Sequence, residues 1–134
     1  MMDFLQRQIG HWTTKTFPHR TERTIAAHTL SEATELYMLT GGTAAEALQI
    51  VLKATRKSPK PDISLDAQIA EEAADVTMLC LDMGEYKTFS LYGEVYNKLR
   101  ANLRREWGER NEFGFTEHKP EERLAGKTEG EKDA

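Results

Sequence analysis

Cysteine occurs once in 134 residues, at Cys80, which leaves no intrachain disulfide framework and no thiolate metal cluster. A single thiol suits a reducing compartment, and a cytoplasmic location is expected. No stretch approaches the roughly 18 consecutive apolar residues that a membrane span needs. The opening MMDFLQRQIGHW is too polar for a signal peptide, so no membrane association is expected. Positive charge is not in excess either. The 18 Lys and Arg face 22 Asp and Glu, a net charge of −4, which argues against a general binder of nucleic-acid polymers. A nucleotide substrate stays open, because a bound divalent cation reverses the local sign of a site. There is no GxGxxG, no Walker A motif, and no Ser/His/Asp or Cys/His set with supporting context.

What is present reads as helix. Hydrophobic residues make up 39% and charged residues 30%, enough for one compact domain with a thin core. A thin core on helical elements points to apolar surface completed by another subunit. The spacing predicts a short helix over 3–12, a connection over 13–21 interrupted by Pro18, and a helix over 22–39. Gly41-Gly42 should end that helix. Residues 43–56 make a further helix, and SPKPD then breaks the chain. Ser64 is the expected N-cap of a helix that runs to Gly84, and a last helix is expected over 89–107. No alternating strand pattern appears. The expected fold is all-α, an antiparallel bundle of about four to five helices completed by oligomerisation. Residues 1–115 would form the domain, and the charged, Gly- and Pro-containing stretch 116–134 a disordered tail.

Two carboxylate pairs stand out: Glu32-Ala-Thr-Glu35 on the second helix and Glu72-Ala-Ala-Asp75 on the fourth. A three-residue step sets both acids of a pair on one helical face, roughly 5–6 Å apart at Cβ. Each pair lies at the edge of its apolar stripe, where it would face a neighbouring helix. If the two helices pack antiparallel, four carboxylates converge on one cavity, and hard oxygen ligands at that density suit Mg²⁺ or Mn²⁺ rather than zinc. The bland alternative is that each pair is solvated surface. Lys98, Asn102 and Arg105 would share one face of the last helix, as a grip for polyphosphate or as ordinary helix-end cations. Asp82 could support the site or contact the substrate, or could be a surface acid. His28, one turn before Glu32, could bond a ligand carboxylate or be structural. Trp12 and Phe17 could stack on a base or fill the core.

The run His28-x-x-x-Glu32-x-x-Glu35, then Glu72-x-x-Asp75-Val76 followed by Leu81-Asp82, then Lys98-x-x-x-Asn102-x-x-Arg105-x-Trp107, resembles the MazG-like all-α nucleoside triphosphate pyrophosphohydrolases. Trp12, Thr16-Phe17 and Arg23-Thr24 look more specifically like the phage dATP/dGTP diphosphohydrolase branch. The matches are clustered within residues 12–107. The resemblance implies that Glu32, Glu35, Glu72 and Asp75 bind two or three Mg²⁺ or Mn²⁺ ions and that Lys98, Asn102 and Arg105 hold the triphosphate. Asp82, Trp12 and Phe17 would complete the substrate site. The implied reaction turns a (deoxy)nucleoside triphosphate, with purines preferred, into monophosphate and pyrophosphate, Glu35 orienting or deprotonating the attacking water. A homodimer or homotetramer is implied too. The chain departs from the pattern in two places: the interval between Glu35 and Glu72 is long and holds an extra helix, and Gly108 stands where the branch commonly has proline. Two other functions fit the same residues. One is a non-catalytic helical oligomerisation module; the other is the same fold acting on dUTP or a modified nucleotide.

Overall fold

A computed structural model describes residues 1–120. Among these, five helices and two short strands follow in the order α1 (Met2–Thr16), α2 (Glu22–Leu39), α3 (Ala44–Ala54), α4 (Leu65–Lys87), α5 (Leu91–Asn102), β1 (Trp107–Arg110) and β2 (Thr116–His118). The chain is mostly helical, as expected, and each interior helix begins where the sequence provides a cap. Thr21 and Thr24 form a reciprocal capping box on α2, with Thr24 N–H donating to Thr21 Oγ1 at 3.2 Å and Thr21 N–H to Thr24 Oγ1 at 2.8 Å. Thr43, Ser64 and Ser90 accept from the third helical N–H of α3, α4 and α5. Such oxygens satisfy donors that the first helical turn leaves orphaned.

Helix ends differ from the pattern-based expectation for identifiable reasons. α1 continues past residue 12 to Thr16, and within that extension the Thr13 hydroxyl donates to the Ile9 and Gly10 carbonyls at 3.0 and 3.2 Å. Gly84 does not end α4. The helix runs three residues further, to Lys87, and closes through Thr88 in the left-handed conformation at φ 60°, with Phe89 N–H reaching the Gly84 carbonyl at 2.9 Å. Gly84 is buried instead because the chain turns back over it: a Cβ there would lie 3.1 Å from the Phe89 carbonyl oxygen.

α5 is shorter than expected. It stops at Asn102, where the backbone bonds tighten to three-residue steps (Arg104 N–H to Ala101, Arg105 N–H to Asn102) and the Trp107 indole donates to the Asn102 carbonyl at 3.3 Å. The chain then enters an antiparallel hairpin, β1 with β2, pairing Trp107 with His118 and Arg110 with Thr116 across an irregular register. This corrects the expectation of no strand and the assignment of 116–118 to a disordered tail. Strands of four and three residues are too short to show alternation, and the turn chemistry carries them instead. The Asn111 side-chain oxygen accepts from the Phe113 and Phe115 N–H groups at 3.0 and 3.2 Å, and Gly114 sits at φ +85°. The expected tail beyond 120 lies outside the described residues.

Packing is sparse. α1 and α4 each pack on α5, α2 packs on α3, and β1 on β2. Leu5, Leu99 and Phe115 are the buried apolar residues of the described chain. α2 and α4 do not pack on each other, so the expected antiparallel bundle is not closed within one chain. The apolar stripes of α2, α3 and α4 stand largely in solvent, including Ile25, Leu30, Leu48, Leu52, Ile69 and Leu79.

The elbow between α2 and α3 is held by a polar knot. Thr43 Oγ1 and Tyr37 OH donate to the two Glu46 carboxylate oxygens at 2.8 and 3.0 Å. The Thr43 bond first, and then the Tyr37 bond, hold the Glu46 carboxyl below its ordinary value of 4.5. Accepting that same bond, Glu46 holds the Tyr37 phenol above 10.0. A depressed carboxyl contributes stability above its unfolded pKa and loses it as pH falls through the folded one. A raised phenol contributes below its unfolded pKa and loses it as pH rises through the folded one. Amide exchange at Gly42, whose N–H bonds the Tyr37 carbonyl, is therefore expected to be slowest relative to intrinsic rates between these limits. Protection should fall below the ordinary carboxylate range and again above 10.0, and Glu46→Gln should remove the acid limb.

Candidate functional site

One cavity of about 610 Å³ gathers side chains from most of the elements. Ligand pockets commonly occupy roughly 300–1,000 Å³. One wall is aromatic. Trp12 near the end of α1, Phe17 just after it and Trp107 at the start of β1 meet with ring centroids 5.0–5.6 Å apart, Phe17 edge-on to both indoles. Edge-to-face pairs of this kind contribute about 0.5–1.5 kcal/mol each beyond the area they bury. α2 supplies a second wall through Thr24, Ile25, His28, Glu32 and Leu36, and α4 a third through Val76 and Cys80. Asn102 at the end of α5 completes the floor beside Trp107.

The residues singled out in the sequence are brought together only in part. Trp12, Phe17, Glu32 and Asn102 line the cavity. Asp75 directly precedes the lining residue Val76, and Glu72 lies one turn earlier on α4, yet neither lines the cavity. Glu32, Glu35, Glu72, Asp75 and Asp82 are all exposed. Among the described residues, no group of three or more His, Cys, Asp and Glu side chains is placed to hold a metal ion. The convergence of four carboxylates expected from antiparallel packing is thus not made within one chain, because α2 and α4 stand apart with the cavity between them. As it stands, a single chain does not fit a divalent cation at these four acids.

The phosphate grip is also rearranged. Lys98 and Asn102 are on α5, but Arg105 lies beyond its end, so the three do not share a continuous helical face. Arg105 folds back, and its Nη1 donates to the Asn102 side-chain oxygen at 2.9 Å. Lys98 is exposed on the helix and away from the cavity lining. The helix ends early where the indole of Trp107 takes the Asn102 carbonyl, a local side-chain bond that periodicity does not register.

Two features had not been singled out as site elements. The hairpin contributes Arg110, Gly114, Phe115 and Thr116 to the lining, and Phe115 lies flat on His28 with centroids 4.5 Å apart and planes 7° from parallel. Asn111, followed by Gly114 between two phenylalanines, was the available signal for a turn presenting an aromatic residue. Gly114 is required there twice over. Its φ of +85° is costly for any side chain, and a Cβ would lie 2.8 Å from Thr24 Cγ2.

Comparison with protein-family models, with curated proteins and with solved structures finds no match to this chain.

Replacing Gly114 by Ala is expected to lower stability by about 1–3 kcal/mol through strain and displacement of the hairpin from α2. Thermal unfolding checks the size, and the Thr24 methyl resonance should shift if the hairpin is the element that moves.

Proposed function

We propose that this chain is a subunit of a homo-oligomeric, divalent-cation-dependent nucleoside triphosphate pyrophosphohydrolase that releases monophosphate and pyrophosphate, with purine deoxynucleotides as preferred substrates. The observation that carries it is the lining of the cavity. A single space is bordered by the aromatic group at Trp12, Phe17 and Trp107, by Glu32 of one acid-bearing helix, by Val76 beside Asp75 of the other, and by Asn102. An aromatic wall is suited to the face of a base, and the amide and acids to the polar end of a nucleotide. Dependence on Mg²⁺ or Mn²⁺ belongs to this proposal and requires Glu32, Glu35, Glu72 and Asp75 to be brought closer than one chain brings them. The uncovered apolar faces of α2, α3 and α4 support such an assembly: a buried Leu or Ile contributes about 1.5–3 kcal/mol relative to an exposed one, and patches of this extent mark interaction surfaces. A homodimer or homotetramer would cover them. No described helix is long and apolar enough to cross a membrane.

The same uncovered faces favour a second reading, a non-catalytic helical assembly module in which the acids are solvated and Lys98 and Arg105 pair across an interface. A third is hydrolysis of dUTP or a modified nucleotide on the same scaffold. Incubating the protein with each (d)NTP and Mg²⁺ or Mn²⁺, with products separated by chromatography, distinguishes the three. Monophosphate with pyrophosphate is expected, most rapidly from dGTP and dATP, whereas diphosphate with orthophosphate would mean that a different bond is cut. Glu35→Gln should abolish turnover and leave the far-UV circular dichroism unchanged; full activity in that variant would remove the acids from the site.

Light scattering should give a mass of two or four times 15.3 kDa. Replacing Leu48 and Leu52 together by Asp should shift that mass toward the monomer. A monodisperse monomer of the unaltered chain would count against an assembled site.

A further inference from the structure

We infer that the hairpin acts as a positioning device for the acid-bearing helix: Phe115 fixes the ring of His28, and His28 fixes the carboxylate of Glu32 at the cavity wall. The inference rests on the hydrolase proposal only for the consequence, since the contacts themselves are geometric. His28 Nε2 lies 3.2 Å from Glu32 Oε1, one turn along α2, a distance at which an Nε2–H donates to the carboxylate. The other side of that imidazole is occupied by Phe115, stacked at 4.5 Å and within 7° of parallel. The stack fixes the plane of the imidazole, and within that plane the bond to Glu32 selects the ring edge that carries Nε2, so the hairpin and the carboxylate together set its direction.

The hairpin is itself held. Phe115 is 9% exposed and one of three buried apolar residues in the described chain, whereas its neighbour Phe113 stands in solvent. Asn111 closes the turn on both sides, accepting at its side-chain oxygen from the Phe115 N–H and donating its own N–H to the Phe115 carbonyl at 2.8 Å. Gly114 lies against Thr24, one turn before His28, so the tip of the hairpin is seated on two successive turns of α2. An aliphatic residue at 28 would pack against Phe115 equally well. A histidine there does something an aliphatic residue cannot, because it carries the position of the hairpin to a carboxylate.

The contrast with Glu35 sharpens the assignment. It lies on the same helix, three residues on, and is exposed outside the cavity lining. Glu32 retains 66% exposure of its side chain and is restrained by His28 alone. One acid of the pair is therefore held by a partner on its own helix and the other is not. Under the hydrolase proposal the held acid presents its carboxylate to the cavity in a set direction. His28 and Phe115 are positioning residues for Glu32.

The test uses the full-length protein with ¹³C-labelled histidine and the variants Phe115→Leu, Phe115→Tyr, His28→Ala and Glu32→Gln. The His28 ring resonances, assigned by their loss in His28→Ala, are expected to move in Phe115→Leu and in Glu32→Gln and to stay near their original positions in Phe115→Tyr, which keeps the stacked ring. Resonances that do not respond to either Phe115→Leu or Glu32→Gln overturn the relay. In steady-state hydrolysis, Phe115→Leu and His28→Ala are each expected to lower kcat by about tenfold to a hundredfold, the scale of a misplaced reacting group. KM should change far less, and the double variant should lose little more than either single one. Phe115→Tyr losing as much as Phe115→Leu would leave only a packing role and overturn the inference, as would an unchanged kcat in Phe115→Leu. A wild-type protein that hydrolyses no nucleoside triphosphate overturns the hydrolase proposal alone, and the histidine resonances then decide the relay.

Discussion

α2 and α4, the helices that carry the acidic pairs, each have one helical neighbour within the chain. α2 rests on α3, α4 rests on α5, and no Cα of α2 comes within 8 Å of one of α4. The rest follows from that separation. It opens the cavity between them, leaves their apolar stripes in solvent, and keeps Glu32 and Glu35 apart from Glu72 and Asp75. Folded chains are stable by only about 5–15 kcal/mol, and that margin is hard to sustain when so many large apolar side chains stay wet. In the proposed assembly a second copy would supply the missing contacts.

Within the chain, the best-determined part of the cavity is not acidic. It is the aromatic junction of Trp12, Phe17 and Trp107, extended by the flat stack of His28 on Phe115. These contacts tie the N-terminal helix, the connection after it and the hairpin to one edge of α2. They also end α5, through the Trp107 indole on the Asn102 carbonyl, and so bring Arg105 back onto the Asn102 side chain. The polar floor of the cavity is a consequence of aromatic packing. Charge at the site is arranged around that frame, with His28 linking ring packing to a carboxylate.

The helices themselves were legible in the chain because their determinants are local. Thr21, Thr43, Ser64 and Ser90 cap where short polar residues precede apolar periodicity, and α2 has the bounds its pattern implies. The structure departs from that pattern where a contact a few residues further on overrides the repeat. Gly84 looked like a stop and is instead the seat of a returning carbonyl. Residues 103–107 continued a four-residue repeat and were turned out of the helix by an indole. The hairpin had no periodicity to detect, since its strands are three and four residues long.

Sequence alone determined which residues could carry chemistry and where the helices begin, because capping, periodicity and the three-residue step of each acidic pair act within a few positions along the chain. Tertiary structure decided which of those residues meet. Glu32 faces the aromatic cavity and is held by His28, Asn102 joins it, and Glu35, Glu72, Asp75 and Lys98 do not. The reason is that convergence depends on which apolar faces are paired, and this chain leaves α2 and α4 unpaired with each other. Their spacing is set by contacts that no stretch of the sequence contains by itself.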